Sequence, residues 1–424
     1  MSAIEGRRIC LVSPGNLAAN PRLVKEADAL QRAGYAVTAV VSDFSVGLRG
    51  FDDEIVSRAT WKVVHAPRLA SERYIRAASR TAARVLDAIG ADVPVPIAVR
   101  AYGGPAGSLQ DAACAVPADL YIAHYIAALP AAGAAARRHG AMLGFDAEDF
   151  HSGEGGAGQA EARRMKQVRA VEGAWLPHCR HLTAAAPLIA RAYASHYGIP
   201  TPATVLNVFP LEMAPRQPTA LRPPGGPLRA YWFSQTIGLD RGLQPFLQAM
   251  AAAKTRVELE IRGDDRWGHG QTLTAMARDL GVGDRIRLLP LAAPGDMVRL
   301  AARYDLGLSL ETDVSENRRL CLTNKLFTYL LAGIPTLMSD TPGQRAIAPD
   351  LGAAATVVSL ADPGRIAATL DDLACTLGAA RSEALRLGRE RYNWEIEQHV
   401  LLQSVAAAFQ DRGPATSGAS ACAA

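Results

Sequence analysis

The sequence predicts an α/β protein of two similar halves, and three observations carry that prediction. Short apolar runs alternate with helical patterns along most of the 424 residues. A stretch crowded with proline and glycine, 209–228, interrupts the alternation near the middle. The apolar fraction is 49 % against 20 % charged, enough to bury more than one core. The expected organisation is one domain over 1–208, a linker over 209–228 and a second domain over 229–392.

Taken in order, Arg8-Ile9-Cys10-Leu11-Val12-Ser13 is a short apolar run closed by Pro14-Gly15 and reads as a buried strand. Asn20 is the N-cap of a helical pattern that Pro21 opens and that runs to Ala33, and Gly34 ends it. Ala36–Val41 is the next strand, so the chain starts strand–loop–helix–strand, the opening of a parallel sheet. Strands follow at 119–124, 142–146 and 181–184, with helices at 129–139, 159–174 and 187–196. Past the linker, strands read at 229–234, 257–262, 286–290, 306–310 and 336–339. The helices between them read at 242–253, 272–280, 294–303, 324–332 and 363–377. The small, polar end, 411–424, is expected to be disordered.

Several classes are excluded or disfavoured. No apolar run reaches the 18 or more residues of a spanning helix. After Arg7 and Arg8 only Cys10-Leu11-Val12 precede Ser13-Pro14-Gly15, too short for a signal-peptide core. The six cysteines are scattered with no CxxC, as in a reduced, cytoplasmic protein without a metal site. A net charge of +4 is too mild to imply nucleic acid, and no fixed repeat suggests a solenoid. Only five of the 45 basic residues are lysine, so Lys325 stands out against an arginine-biased background.

Candidate chemistry falls where strands end, the place ligands occupy in open α/β sheets. The loop Ser13–Asn20, with Gly15, has neither a GxGxxG nor a Walker pattern. At Thr323-Asn324-Lys325-Leu326-Phe327 a helix start and a cation coincide, a combination suited to phosphate. His124 closes one apolar strand. Asp146, Glu148, Asp149 and His151 cluster after the next, with spacing that does not force convergence on a metal.

In their order and spacing these motifs resemble the GT-B fold glycosyltransferases, in particular the retaining family 4 type, over nearly the whole chain. The first half contributes Asn20-Pro21-Arg22, Asp119–His124, Phe145–His151 and Val205-Leu206-Asn207. The second contributes Phe233–Gly238, Arg241-Gly242-Leu243, Tyr304–Leu308, Asn324–Pro335 and Tyr392-Asn393-Trp394. The resemblance implies two Rossmann-like domains whose parallel sheets face each other across a cleft, with a last helix, 393–410, packing back on the first domain. It implies transfer from a nucleoside-diphosphate sugar, UDP or GDP, to an acceptor hydroxyl with retention and without metal or other cofactor. The acceptor would be a glycan, a lipid-linked group or a small molecule, in polysaccharide, glycolipid or other glycoconjugate synthesis. Catalytic roles fall to His124, Arg241 and Lys325. Donor contacts fall to Gly15, Gln235, Thr236, Gly238, Arg262, Gly263, Asn324, Leu326 and Thr328. The acceptor side falls to Asn20, Asp146, Glu148 and His151.

Three departures from the family pattern are visible. Gln235 and Arg241 stand where an arginine and a lysine are usual on the donor phosphates. Leu320 and Thr328 stand where two glutamates are frequent, the second on the ribose. The glycine-rich turn after the second strand of the C-terminal half reads Arg262-Gly263-Asp264-Asp265. A sugar-nucleotide epimerase on the same fold and a non-catalytic sugar-nucleotide-binding relative are the alternatives. Arg73, Arg76, Arg80 and Arg84 recur at three and four residues beside Ile75, Val85 and Leu86, a pattern suited to peripheral contact with an inner membrane face.

Overall fold

The computed structural model describes residues 6–43, 46–103, 105–215 and 225–410. The tail and residues 216–224 of the predicted linker lie outside them. The described residues form two parallel sheets. The first contains β1 (Arg8–Val12), β2 (Ala36–Ser42), β3 (Lys62–Ala66), β4 (Leu120–His124), β5 (Met142–Ala147), β6 (Cys179–Ala184) and β7 (Ala203–Thr204), in the order β3-β2-β1-β4-β5-β6-β7. The second contains β8 (Leu228–Thr236), β9 (Val257–Asp264), β10 (Ile286–Leu289), β11 (Leu306–Ser309), β12 (Thr336–Ser339) and β13 (Ala355–Val358), in the order β10-β9-β8-β11-β12-β13.

Both orders reverse direction once, between β1 and β4 and between β8 and β11. Those two switch points are where a doubly wound sheet opens a crevice at its strand ends. The central strands are apolar on both faces because helices cover both: Ile9, Leu11, Leu120, Ile122, Leu259 and Leu308 are fully buried.

Sequence reasoning misses β3, β7 and β13. The first is an edge strand with exposed Lys62 and His65, the second spans two residues, and the third four. It also misses the helix Pro342–Leu351, and it stops short on Pro363–Glu390, where Gly378 sits with open space around it and does not break the helix. The predicted helix at 294–303 is a short turn, Pro294–Asp296, followed by one helical turn and a half, Met297–Ala301.

The helix Asn324–Ala332 matters most for the site. A side chain at Gly307 would lie 2.2 Å from the Tyr329 ring, and one at Gly388 would lie 2.5 Å from the Leu330 carbonyl. The two glycines therefore let this helix settle directly between β11 and the helix Pro363–Glu390. The Tyr329 hydroxyl donates to the Tyr231 carbonyl (3.0 Å) and fixes its rotation. Its N-terminus is thereby held toward the first domain. The last helix, Trp394–Gln410, crosses back to that domain, stacking Phe409 on Tyr35 and bringing Ser404 to His181.

Candidate active site between the domains

The strand ends of both sheets face one cleft, which holds two adjoining cavities of about 460 and 450 Å³. Glu148, Asp149, Asn207, Arg241 and Asn324 line both. A latch spans the cleft: Asn317 Nδ2 donates to Asp149 Oδ1 (2.8 Å) while Asn317 Oδ1 accepts the Phe150 amide (2.8 Å).

The C-terminal wall is cationic, and its organiser is Glu311. This residue follows β11, beside the second switch point, and is 1 % exposed. Lys325 Nζ donates to Glu311 Oε1 (2.8 Å), Arg318 Nη1 donates to Oε2, and Arg241 Nη1 lies 3.9 Å from Oε2. Three cations share Glu311, with half-exposed Asp240 3.6 Å from Arg241 Nε, so the cluster keeps a net positive charge beside the N-terminal amides of Asn324–Ala332. That arrangement suits a diphosphate, because the cations are already placed and only part of their charge is balanced internally. Arg262 adds a fourth cation to the wall, tethered by Tyr231 Oη (2.8 Å) and the Pro290 carbonyl (2.7 Å).

The N-terminal wall is acidic. Glu148 is held by Asn207 Nδ2 (2.8 Å), and Asn207 Oδ1 in turn accepts from Lys25 Nζ (3.1 Å). Burial raises the pKa of Glu148, and Asp149 adds to it. Burial also raises that of Asp149. For Lys25 burial dominates in the other direction and lowers its pKa to about 7. Tyr125, just past β4, is the one non-glycine among the described residues at positive φ (65°). Backbone strain of this kind clusters at functional sites, and Tyr125 lines the larger cavity.

Of the residues expected from sequence, Gln235, Thr236, Arg241, Arg262, Asn324, Lys325 and Glu148 come together in the cleft. The others sit elsewhere. Gly15 is not among the residues lining either cavity; Ala18 and Ala19 of the same loop are. Asn20 caps the helix Pro21–Arg32, its Oδ1 accepting the Leu23 amide (3.0 Å). Gly238 lies against Asp240, and at Gly263 a side chain would meet the Ser234 carbonyl at 2.9 Å, so that glycine lets β8 and β9 close together. Leu326 and Thr328 are buried beneath the helix start, and the Thr328 hydroxyl already donates to the Asn324 carbonyl (2.9 Å).

Three of the expected residues of the N-terminal domain are buried on internal partners. Asp146, 1 % exposed, is taken up by internal donors: Arg22 donates to both its oxygens (2.6 and 2.7 Å), and Thr183 donates as well (2.6 Å). Burial would raise its pKa, but Arg22 outweighs that and lowers it to about 2. His124, 2 % exposed, lies beneath the cleft, between Glu26 (3.3 Å) and Asp146 (3.5 Å). Burial opposes its charging, but those carboxylates prevail and raise its pKa. Glu26, Asp146, Arg22 and His124 thus form a buried quartet of mutually attracting groups. His151 is likewise buried, paired to Glu154 (3.0 Å); burial lowers and Glu154 raises its pKa, which ends at about 9.

Among the described residues one group could converge on a cation, Glu26, His124 and Asp146, with ligand atoms within 4.8 Å of one another. The Arg22 guanidinium already occupies its centre of negative charge, 3.6 Å from Glu26 as well as on Asp146. Sequence reasoning misses Glu311, Arg318 and Asn317. The signal for Glu311 was present, since a charged residue directly follows the apolar run Leu306–Leu310. Arg318 and Asn317 lie in a region with no readable period.

No protein-family model and no curated protein matches the sequence. Solved structures do match in shape. The Anabaena HepE structure in complex with UDP and glucose aligns with a TM-score of 0.65 at 14 % identity, covering 95 % of this chain and 99 % of that one. Sucrose-phosphate synthase from Thermosynechococcus elongatus aligns at 0.64 and 12 % identity, over 95 % and 99 %. The calicheamicin glycosyltransferase CalG4 aligns at 0.53 and 14 % identity, over 96 % and 99 %. Together with the two switch-point sheets facing one cleft, these likenesses show that the chain has the GT-B fold.

Proposed function

We propose that the protein is a glycosyltransferase that moves a sugar from a nucleoside-diphosphate sugar to an acceptor hydroxyl in glycoconjugate synthesis. The observation that carries this reading is the trio Arg241, Arg318 and Lys325 converging on Glu311 at the helix start of Asn324, inside a GT-B cleft. The bound UDP and UDP-glucose of the HepE structures support a UDP-sugar as donor, with GDP the other base to test.

In this reading the diphosphate lies against the trio and the Asn324 amides. The bond from the anomeric carbon to the phosphate oxygen breaks as the acceptor oxygen bonds to that carbon. The acceptor proton passes to the departing phosphate oxygen, which gives retention without a protein nucleophile. Glu148 accepts a hydrogen bond from the acceptor hydroxyl and orients it. His124 and Asp146, locked in the quartet beneath, hold Arg22 and the cleft floor in place. Charge on the leaving group is stabilised by side chains, so no metal is required.

A thermal-shift panel of UDP-, GDP-, ADP- and TDP-sugars tests the donor, because a ligand specific for the folded state raises the melting temperature by mass action. One base should stand out, and a panel that stabilises nothing contradicts the reading. A second reading, sugar-nucleotide binding without transfer, is favoured by one observation: Leu320 is apolar and Thr328 is buried, so neither supplies a ribose carboxylate. Donor binding with no transfer to any of a broad set of acceptors would select it.

A further inference from the structure

The helix Ser71–Ala88 carries a surface that donor binding does not use. At 100° per residue, Arg73, Arg76, Arg80 and Arg84 fall on one flank, where they line a groove of about 340 Å³. Their contacts are neutral: Arg73 rests on Tyr74, Arg80 Nε donates to the Ala101 carbonyl (3.0 Å), and Arg76 Nε has no hydrogen-bond partner.

The far edge of the helix's exposed face, across Ala77 and Thr81 from the arginines, is apolar. Tyr74 (62 % exposed), Ile75 (47 %), Val85 (56 %) and Ile89 (72 %) lie there or just past the helix end, and Leu69 (48 %) just before it. These five are nearly half of the eleven large apolar side chains exposed among the described residues. Singly exposed apolar residues need no explanation, but a cluster on one helix does. A partner offering phosphate alone would engage the arginines and gain nothing from Ile75, Val85 and Ile89. An anionic bilayer surface offers both phosphate and an acyl boundary to the two edges of one exposed helix face lying in its plane.

The same helix is tied to the acceptor side of the cleft. Asp87 accepts from Lys166 (2.5 Å) and lies 3.9 Å from Arg163, both on the helix Gln159–Trp175. Arg164 of that helix lines the smaller cavity.

We propose that Ser71–Ala88 seats the protein on an anionic membrane surface, and that the cleft draws a lipid-linked acceptor from that surface. The second half rests on the transferase reading; the first does not. The test is co-sedimentation of the full chain at low salt with vesicles of phosphatidylcholine alone and of phosphatidylcholine with an equal part of phosphatidylglycerol. Binding is expected to the anionic vesicles only. Each arginine removed should cost about fivefold in partitioning, so Arg73→Ala with Arg84→Ala should cost about 25-fold. Val85→Ser with Ile89→Ser should also weaken binding, with the melting temperature unchanged in both pairs.

Equal binding to neutral vesicles overturns the proposal, as does undiminished binding of the arginine pair. So does binding of a DNA duplex, at the same salt, that is tighter than vesicle binding and insensitive to the serine pair. Stabilisation by UDP in solution, measured alongside, reports on the donor reading separately, so failure of one does not mimic failure of the other.

Discussion

Replacing Glu311 by glutamine keeps the shape of the side chain and removes the charge that gathers Arg241, Arg318 and Lys325. Removing one partner of a buried ion pair costs about 3–5 kcal/mol, because the remaining charge is left uncompensated. Lys325 is only 6 % exposed and cannot turn fully to water, whereas the Arg318 and Arg241 side chains, 18 and 23 % exposed, can turn partly. The low end, about 3 kcal/mol, therefore applies. For a domain of this size that is a fall in melting temperature of about 6–12 °C. The positive charge facing a diphosphate rises by about one, so UDP should stabilise Glu311→Gln by at least as much as it stabilises the parent. Turnover should nevertheless fall about tenfold or more, since the cations lose the carboxylate that positions them. Melting curves with and without UDP, with a turnover assay beside them, read all three. A variant that melts within a degree or two of the parent and turns over normally would refute the organising role of Glu311.

Arg241→Ala should lower turnover about a hundred- to thousandfold, the 3–4 kcal/mol of one preorganised charge, while Arg241→Lys keeps part; near-normal turnover in the alanine variant removes Arg241 from the mechanism. Thr328→Val should leave donor affinity unchanged and Thr328→Glu should lower the melting temperature by burying an unpaired charge, whereas tighter donor binding in the glutamate variant on titration calorimetry would put position 328 in the nucleotide pocket. The His151–Glu154 pair, with the His151 pKa raised from 6.5 to about 9, contributes about 3 kcal/mol that is fully present below pH 6.5 and is lost as pH rises through about 9. Melting temperature followed across that window should fall in the parent and stay flatter in His151→Gln; parallel curves contradict the pairing. Turnover should survive EDTA, with loss on chelation and recovery with a divalent ion as the contrary result.

The sequence was most readable where packing repeats. The runs Arg8–Ser13, Ala36–Val41 and Arg229–Ser234 announce central strands because both of their faces are covered, so burial leaves an unbroken apolar string. Edge and short strands such as β3 and β13 leave no such string, and the helix Pro342–Leu351 carries Pro349 inside it, which reads as a break. In the site, Lys325 and Arg241 were legible as cations beside a helix start and a strand end. The depth of His124, Asp146 and Thr328 was not, because a polar residue at a strand end reads the same whether it faces a ligand or an internal partner. Asp146 is decided by Arg22, 124 positions away in the chain, and no local pattern encodes that distance. Glu311 was missed for a related reason: its meaning lies in three cations delivered by separate elements, a loop and two helices.

Calorimetric titration of UDP into the parent protein and into Arg318→Ala tests the account most directly. Arg318 enters it from the structure alone, and it lines the proposed diphosphate site while pairing with Glu311. The account expects one-to-one binding to the parent and about tenfold or greater weakening in Arg318→Ala, the loss of one charged hydrogen bond, with a smaller fall in melting temperature than in Glu311→Gln because Lys325 still pairs Glu311. Binding of equal strength to both proteins, or none to a folded parent by UDP, GDP, ADP or TDP at millimolar concentration, would contradict it.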